Sequence, residues 1–524
     1  MISTIEEAGM RTVCANFYQY AGEVPDKVAV IEASGASVTY GDLYRVANRI
    51  SHALRGEGLQ VGDKVALLSS NTADFLALLL GAEQVGIKVV PVNYHLTASE
   101  IAYIIDSSSS KLLFVEERHL SAARRALSTT ALPLDRCITL GYPTSAGRMF
   151  ADFIDRRSEA PPPERVHGSV MLYTSGTTGR PKGVHWPAHK VDPETAAQSI
   201  DPMMALRGME HDLDAVSIIT GPLYHGAPLG WGLQALHHGH TVVLMEKWDS
   251  RSFLQKVQHY GVTTAQMAPI HFHRLLQLSI AERRRYDTGS LKVVSHSGAA
   301  TPIPTKRRML EWLGPVLFEY YASSEGYGTS ITSADWLEHP GSVGRADGNG
   351  AHMKILDDLH NPLPAGEVGT LWIQNPGGLT SEYFGDPDKT AAARLGTYFT
   401  TGDMAYIDQD GWLFIVDRRT DMILSGGVNI YPAEIEDVMR VHAAIDDIAV
   451  LGLPDDEWGQ RVHAVVVPSS TVEAGDALAR EILSATAHSL AKFKIPKSLE
   501  FRESLPYSPT GKLLRRVLRD ELTH

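Results

Sequence analysis

The chain has 524 residues, 44% of them hydrophobic and 21% charged, an ordinary folded composition that is too long for one core. Asp and Glu total 61 against 48 Lys and Arg, a formal charge of −13, which excludes long-range attraction to nucleic acid or an anionic membrane and leaves anionic ligands to local sites. Cys14 and Cys137 are the only cysteines, which is neither a disulfide framework nor a zinc pattern, Glu6 and Glu7 stand near the N-terminus without a basic segment and apolar core, and no apolar run reaches roughly 18 residues; secretion and membrane insertion are not expected, and a cytoplasmic protein is.

Short apolar, β-prone runs at 65–68, 89–92, 241–245, 262–267 and 293–295 alternate with helical-looking segments at 72–85 and 250–259, the pattern of layered α/β structure. Pro161-Pro162-Pro163 among the charges of 156–165 reads as a linker where two subdomains meet. Val170-Met171-Leu172-Tyr173 then predicts a buried strand that delivers the chain to Thr174-Ser175-Gly176-Thr177-Thr178-Gly179-Arg180-Pro181-Lys182-Gly183. In that loop three glycines let backbone N–H groups turn toward an anion, four hydroxyls donate, and Lys182 adds a point charge. A polyphosphate is the ligand these groups suit. The spacing departs from G-x-x-x-x-G-K-[ST], which excludes the ordinary P-loop.

Further along, residues 361–367 form a turn, and 369–374 opens a strand-rich stretch that includes 412–416, a small β subdomain. Beyond 417–421 the pattern restarts with a helix opening at Pro432 and strands near 448–451 and 462–467. The fold class is therefore α/β: a large multi-subdomain amino-terminal region with layered α/β sheets and a small β subdomain, plus a small α+β carboxy-terminal domain. Residues 1–417, 418–421 and 422–524 are its expected divisions.

Later segments supply the partners that an ATP-holding loop needs. Tyr320-Tyr321-Ala322-Ser323-Ser324-Glu325-Gly326 offers aromatic faces for a base, a hydroxyl for a phosphate and a carboxylate for Mg²⁺. Thr401-Gly402-Asp403 suits paired ribose hydroxyls, and Arg418 adds a cation. Leu505-Pro506-Tyr507-Ser508-Pro509-Thr510-Gly511-Lys512 presents a lysine on a loop shaped by proline and glycine.

In this order and spacing the segments resemble the ANL adenylate-forming enzymes, the family of acyl-CoA synthetases, firefly luciferase and peptide-synthetase adenylation domains, over essentially the whole chain. The stretch Ser425-Gly426-Gly427-Val428-Asn429-Ile430-Tyr431-Pro432-Ala433-Glu434-Ile435-Glu436 resembles the pattern that lines the pantetheine tunnel of the acyl-CoA synthetases. The resemblance implies ATP/AMP, Mg²⁺ and coenzyme A as cofactors, and a carboxylic acid or its acyl-adenylate as partner; a homodimer is compatible with it.

It also implies residue roles. Thr174, Ser175, Gly176, Thr177, Thr178 and Lys182 would hold the triphosphate, Tyr321 would stack on adenine, and Ser324 would meet the α-phosphate. Glu325 would hold the metal, and Asp403 and Arg418 the ribose. Gly298, Ala299 and Ala300 would border adenine and the acyl pocket. Lys512 would bridge acid and α-phosphate, His225 would gate the acid, and Gly426 and Gly427 would leave room for the thiol arm. The family hinges within 417–421 and alternates its mobile domain between two steps, acyl-adenylate formation and transfer to the thiol. Thr420 stands where that hinge usually carries a charge, and Ala322 where glycine is common; an altered balance between the two steps, or an enzyme of one half-reaction, stays open.

The segment Gly226-Ala227-Pro228-Leu229-Gly230-Trp231 and Met267 offer small and apolar groups without a carboxylate, so an α-amino group lacks its partner. An apolar, bulky acid is expected: fatty, aryl, or polycyclic terpenoid or steroid. The alternatives are a carrier-protein-loading adenylation enzyme and a non-catalytic nucleotide-binding protein, although Lys182, Glu325, Asp403, Arg418 and Lys512 are all retained. His237, His238 and His240 read as a solvated connection rather than a metal site, and His271 and His273 flank Phe272 at strand-like spacing.

Overall fold

The computed structural model describes residues 16–141, 148–174, 181–187, 190–346, 351–470, 472–487, 489–508 and 511–523. A six-stranded sheet runs Arg148–Met149, Cys137–Leu140, Leu112–Glu116, Lys64–Leu68, Lys88–Pro91, Ser169–Val170, parallel throughout. Val65, Ala66, Leu67 and Leu68 are all fully buried, as expected of a parallel strand covered on both faces. An eight-stranded sheet runs Gly326–Thr332, Leu317–Ser323, Val293–His296, Thr264–Met267, Val216–Ile219, Thr241–Leu244, Val28–Ile31, Ser37–Thr39. Only its two terminal pairings are antiparallel. One hydrophobic core spans residues of both sheets and of the Tyr40–Gly56 and Ala73–Glu83 helices.

The chain from 170 to 173 is a correction to the expected buried strand. It breaks at Met171: Ser169–Val170 joins the six-stranded sheet, whereas Leu172–Thr174 pairs antiparallel with Lys182–His185. Met171 is buried, but Val170, Leu172 and Tyr173 are only half-buried. Leu172–Thr174 is therefore followed in the chain by an antiparallel partner strand, where a P-loop leads from a strand into a helix.

The small β subdomain is an antiparallel sheet in the order Gly344–Arg345, Trp412–Arg418, Asp403–Ile407, Gly369–Gln374, Tyr398–Phe399, Arg394–Leu395. Beyond the exposed turn at Arg419 and Thr420, a separate core gathers Ile423, Ile430, Ile435, Ile448, Val450 and Val466. There Ile445–Asp455 and Gly459–Pro468 form a hairpin longer than the sequence suggested, joined in parallel by Ser498–Phe501.

The histidines also correct the sequence reading. His237, His238 and His240 are each 1% exposed. His237 Nε2 lies 3.5 Å from Glu83, His238 Nε2 3.6 Å from Asp201, and His240 bonds Ser217 Oγ and the Glu210 carbonyl. Burial drives His238 down to about 3 and His240 to about 4, so both pack as neutral rings. His271 and His273 sit on the Pro269–Leu276 helix, not a strand, and His271 stacks on Trp248.

The strand Leu317–Ser323 is pinned by fully buried Lys306, which donates to Glu319 and stands 4.6 Å over Trp336. Lys306→Met leaves the Glu319 carboxylate buried without its cation and is expected to cost about 3–5 kcal/mol. Calorimetry should show a lowered unfolding midpoint, largely restored when Glu319→Gln is added.

Candidate active site

Parallel strands deliver their carboxyl ends to one crevice, the position at which open α/β sheets bind ligands. Gly221 follows Val216–Ile219, Ala268 follows Thr264–Met267, Ser297 and Gly298 follow Val293–His296, and Ser324 and Glu325 follow Leu317–Ser323; all line a cavity of about 880 Å³.

Thr174 and Lys182 are cross-strand partners, both on the cavity wall. Ser175, Gly176, Thr177 and Thr178, between them, lie outside the described residues. Lys182 Nζ stands 4.6 Å over the Tyr383 ring, and Tyr383 donates its hydroxyl to Glu325 Oε1 at 3.0 Å. Trp186 Nε1 donates to the Ser324 carbonyl at 3.0 Å. The loop hairpin and the Ser324-Glu325 turn are thereby fixed to one another. Tyr383 and Trp186 were missed in the sequence because strand pairing across roughly two hundred residues leaves no local signal; Glu382 pairs with His185.

Asp403 and Arg418 are directly opposed on neighbouring antiparallel strands, with Arg418 Nε 3.3 Å from Asp403 Oδ1. Asp403 also accepts from Thr401 Oγ1 at 2.6 Å and from the Tyr321 hydroxyl. Thr401 and Arg418 face the cavity, while Tyr321 and Asp403 stand behind them and do not line it. That carboxylate is an acceptor held by three donors.

Lys512 enters the cavity from the carboxy-terminal domain together with Tyr507 and Ser508. Its hairpin is closed by Ser508 N–H to the Lys512 carbonyl at 2.8 Å and Lys512 N–H to Ser508 Oγ at 3.0 Å. Tyr507 anchors the hairpin by donating its hydroxyl to Asp447 at 2.7 Å. Burial, with Arg418 nearby, lowers Lys512 to about 8 against the pull of Asp421 and Asp403. Gly511 has φ +75°, and a Cβ there would stand 2.0 Å from Ile270 Cγ2, so only glycine lets this hairpin approach the amino-terminal body.

The cavity is also lined by the Gly226–His237 helix, which presents Ala227, Gly230, Trp231 and Gln234, and by Met203, Met204 and Arg207. His225 is the N-cap residue of that helix; burial lowers it to about 4, leaving a neutral ring on the wall. Gly226 would bring a Cβ to 2.7 Å from Leu172, whereas a Cβ at Gly230 meets nothing within 4 Å. Ala322 lines the same space.

Some expected site residues stand elsewhere. Met267 is fully buried in the core under the sheet, and Gln266 and Ala268 face the cavity in its place, because alternate side chains of a strand point to opposite faces. Ala299 and Ala300 do not line the cavity, although Gly298 does. Gly426 and Gly427, with φ +58° and +81°, turn the hairpin Ile423–Ser425 to Val428–Ile430 beside Trp458, away from the cavity. Thr420 lies in the exposed interdomain turn.

The amino-terminal body matches the model of the AMP-binding enzyme family over residues 17–384, and the carboxy-terminal domain that of the AMP-binding enzyme C-terminal domain over 434–512. The chain is 32% identical over 511 residues to a fatty acid–[acyl-carrier-protein] ligase of Streptomyces coeruleorubidus, covering 96% of this chain and 94% of that protein. It is 30% identical to a long-chain-fatty-acid–CoA ligase of Mycobacterium tuberculosis, covering 96% and 97%. The solved amide bond synthetase of Marinactinospora thermotolerans superposes with a TM-score of 0.83 at 28% identity, over 97% of this chain and 100% of the other. The protein belongs to the AMP-binding enzyme family, the ANL adenylate-forming enzymes, within its acyl-CoA synthetase branch.

Gly511→Ala drives a methyl into Ile270 and should withdraw Lys512 from the cavity. Acid-dependent ATP–pyrophosphate exchange is expected to fall on the order of 10²-fold, the scale of losing one electrostatic stabiliser, and to recover in part when Ile270→Ala opens the space. Unchanged exchange in the single variant would refute the contact.

Proposed function

We propose that the chain is an ATP-dependent acid–thiol ligase that activates a bulky, largely apolar carboxylic acid as its acyl-adenylate and transfers the acyl group to the thiol of coenzyme A. One observation carries the reading: a single cavity receives Lys512 from the carboxy-terminal domain, Thr174, Lys182, Ser324 and Arg418 from the nucleotide side, and a helix of small and aromatic residues from the acyl side. The family supports ATP and AMP, a carboxylic acid and coenzyme A; the kind of acid and the metal belong to the proposal.

In the first step a carboxylate oxygen attacks the α-phosphorus and pyrophosphate leaves. Lys512 meets the charge that builds there, and Lys182 and the hydroxyl-rich loop hold the departing phosphates, so catalysis is positioning and electrostatics. Glu325, with one oxygen fixed by Tyr383, fits a hard cation; it is the residue that would hold Mg²⁺, whose contribution is charge neutralisation at the phosphates. In the second step the thiolate sulfur attacks the acyl carbon, AMP leaves and the thiol proton passes to solvent. Lys512 must then vacate the cavity, and the turn containing Thr420 is the proposed hinge, dividing the chain into 1–417, 418–421 and 422–524. Gly426 and Gly427 would then border the thiol passage. A carrier-protein thiol as acceptor is the second reading, favoured by the likeness to the acyl-carrier-protein ligase. A cytoplasmic setting completes the proposal; among the described residues no helix is long and apolar enough to cross a membrane.

The two halves separate experimentally. Lys512→Ala should lower exchange by about 10²–10³-fold while thioester formation from a supplied acyl-adenylate continues; exchange that persists would remove the role of this lysine. Because Lys512 is lowered to about 8, its cationic form dominates below that pH and is lost above it. The kcat/KM for ATP in exchange should therefore be flat below about pH 8 and decline above it, since kcat/KM reports the free enzyme.

Gly230→Leu fills open cavity space. It should lower kcat/KM for the bulkiest accepted acid by at least about tenfold more than for a small one, read across an acid panel.

A further inference from the structure

Asp201, His211 and His238, none of which lines the catalytic cavity, converge so closely that one ligand atom from each lies within 4.8 Å of the others. His211 Nε2 lies 3.3 Å from Asp201 Oδ2 and His238 Nε2 3.6 Å from Asp201 Oδ1, and the two rings stack with centroids 4.3 Å apart. The other nitrogen of each ring is engaged elsewhere: His238 Nδ1 lies 2.8 Å from the Gln234 carbonyl and His211 Nδ1 3.2 Å from the Tyr20 hydroxyl. A carbonyl only accepts, so the proton of the neutral His238 ring is on Nδ1, and Nε2 turns a lone pair toward the Asp201 carboxylate. Two acceptors that face each other repel unless a cation stands between them. The backbone holds the arrangement, since Asp212 N–H donates to the His238 carbonyl at 3.0 Å. Of the neighbouring histidines, His237 is turned to Glu83 and His240 to Ser217 and the Glu210 carbonyl, so only His238 takes part.

We propose that Asp201, His211 and His238 form a metal site, separate from Glu325 and outside the cavity, for a divalent cation of the zinc type. Two imidazole nitrogens and one carboxylate suit zinc, whereas Mg²⁺ and Ca²⁺ take oxygen ligands. Tetrahedral zinc with bonds of about 2.0–2.1 Å spaces its ligand atoms roughly 3.3–3.4 Å apart, and the two nitrogen–oxygen separations stand at or close to that spacing. The Gln234 carbonyl and the Tyr20 hydroxyl orient the rings, as hydrogen bonds to the second nitrogen do for metal-binding histidines. The side chains of Asp201 and His211 are 26% and 27% exposed, which admits the ion and a water as fourth ligand, while His238 is buried. The position of the site gives it a structural role. Asp201 opens the Asp201–Leu206 helix, whose Met203 and Met204 line the cavity, and His238 caps the end of the Gly226–His237 helix, which lines it with Ala227 and Gly230. One ion bound to both ties together two segments of the cavity wall.

The test uses the untagged full chain, stripped of metal with a chelator and returned to excess Mg²⁺, which fills sites built from oxygen ligands. Zinc titrated calorimetrically should bind at one ion per chain, and Co²⁺ in its place should give the visible d–d absorption of a four-coordinate site. His211→Ala and Asp201→Asn, both at partly exposed positions, should each weaken zinc binding at least about tenfold. His259→Ala, at an exposed histidine outside the group, should leave it unchanged. Amide hydrogen exchange in residues 201–211 and 234–240 should slow when zinc is added to the parent chain and stay the same in the two variants. Failure to take up one zinc per chain, or uptake that neither variant weakens, overturns the site. Stoichiometric uptake that leaves amide exchange in both segments unchanged overturns the tie between them.

Discussion

In the proposed reaction a cation beside the α-phosphate in one step stands where a thiol must pass in the next, and the carriage of Lys512 on a separate domain suits that conflict. Lys512 is not carried by the body that holds the nucleotide. It sits on a hairpin tied through Tyr507 to Asp447 in a domain with its own hydrophobic core. A domain with a separate core can move whole, without paying to unfold, and the exposed turn at Thr420 is where few contacts resist it. Its docked position is nevertheless sterically specific, because the Gly511 backbone seats against Ile270 with no room for a Cβ.

The nucleotide side shows the opposite property. Asp403 and Arg418 are locked by strand register, Glu325 by Tyr383, and the Ser324 carbonyl by Trp186. Electrostatic catalysis depends on charges that need no rearrangement as the reaction proceeds, and these groups are fixed by backbone pairing or by side chains from distant strands. A rigid receiver and a deliverable cation divide the task.

The portions legible in the sequence are those in which residues close in the chain reach one cavity: Thr174 and Lys182 stand opposite each other on paired strands, Ser324 and Glu325 are consecutive, and Thr401 lines the wall with Asp403 behind it. What was not legible depends on pairing over distance. Tyr383 reaches Glu325 through a three-stranded sheet that joins Leu172–Thr174, Lys182–His185 and Glu382–Tyr383, and Trp186, just past the middle strand, reaches the Ser324 carbonyl. His237 and its neighbours looked solvated beside Gly239, yet Glu83, Asp201 and Ser217 come from elsewhere to meet them. The error at Met267 was one of phase: the strand was placed correctly, but periodicity of two gives no face until the sheet is known. The buried strand expected from 170 to 173 failed for a related reason, since four apolar residues do not reveal that they serve two sheets.

The acyl wall carries this limit further. Trp231 and Gln234 read, in isolation, as one aromatic and one polar residue of an amphipathic helix, and a polar residue three after an aromatic is ordinary on a surface. Both are buried, so the usual account of a polar face exposed to water is unavailable to them. A helix that buries hydrogen-bonding atoms without partners is less stable than one with an apolar stripe of the same shape. What the sequence pattern of small and apolar residues does convey is the space left open at Gly230, where a Cβ would meet nothing within 4 Å.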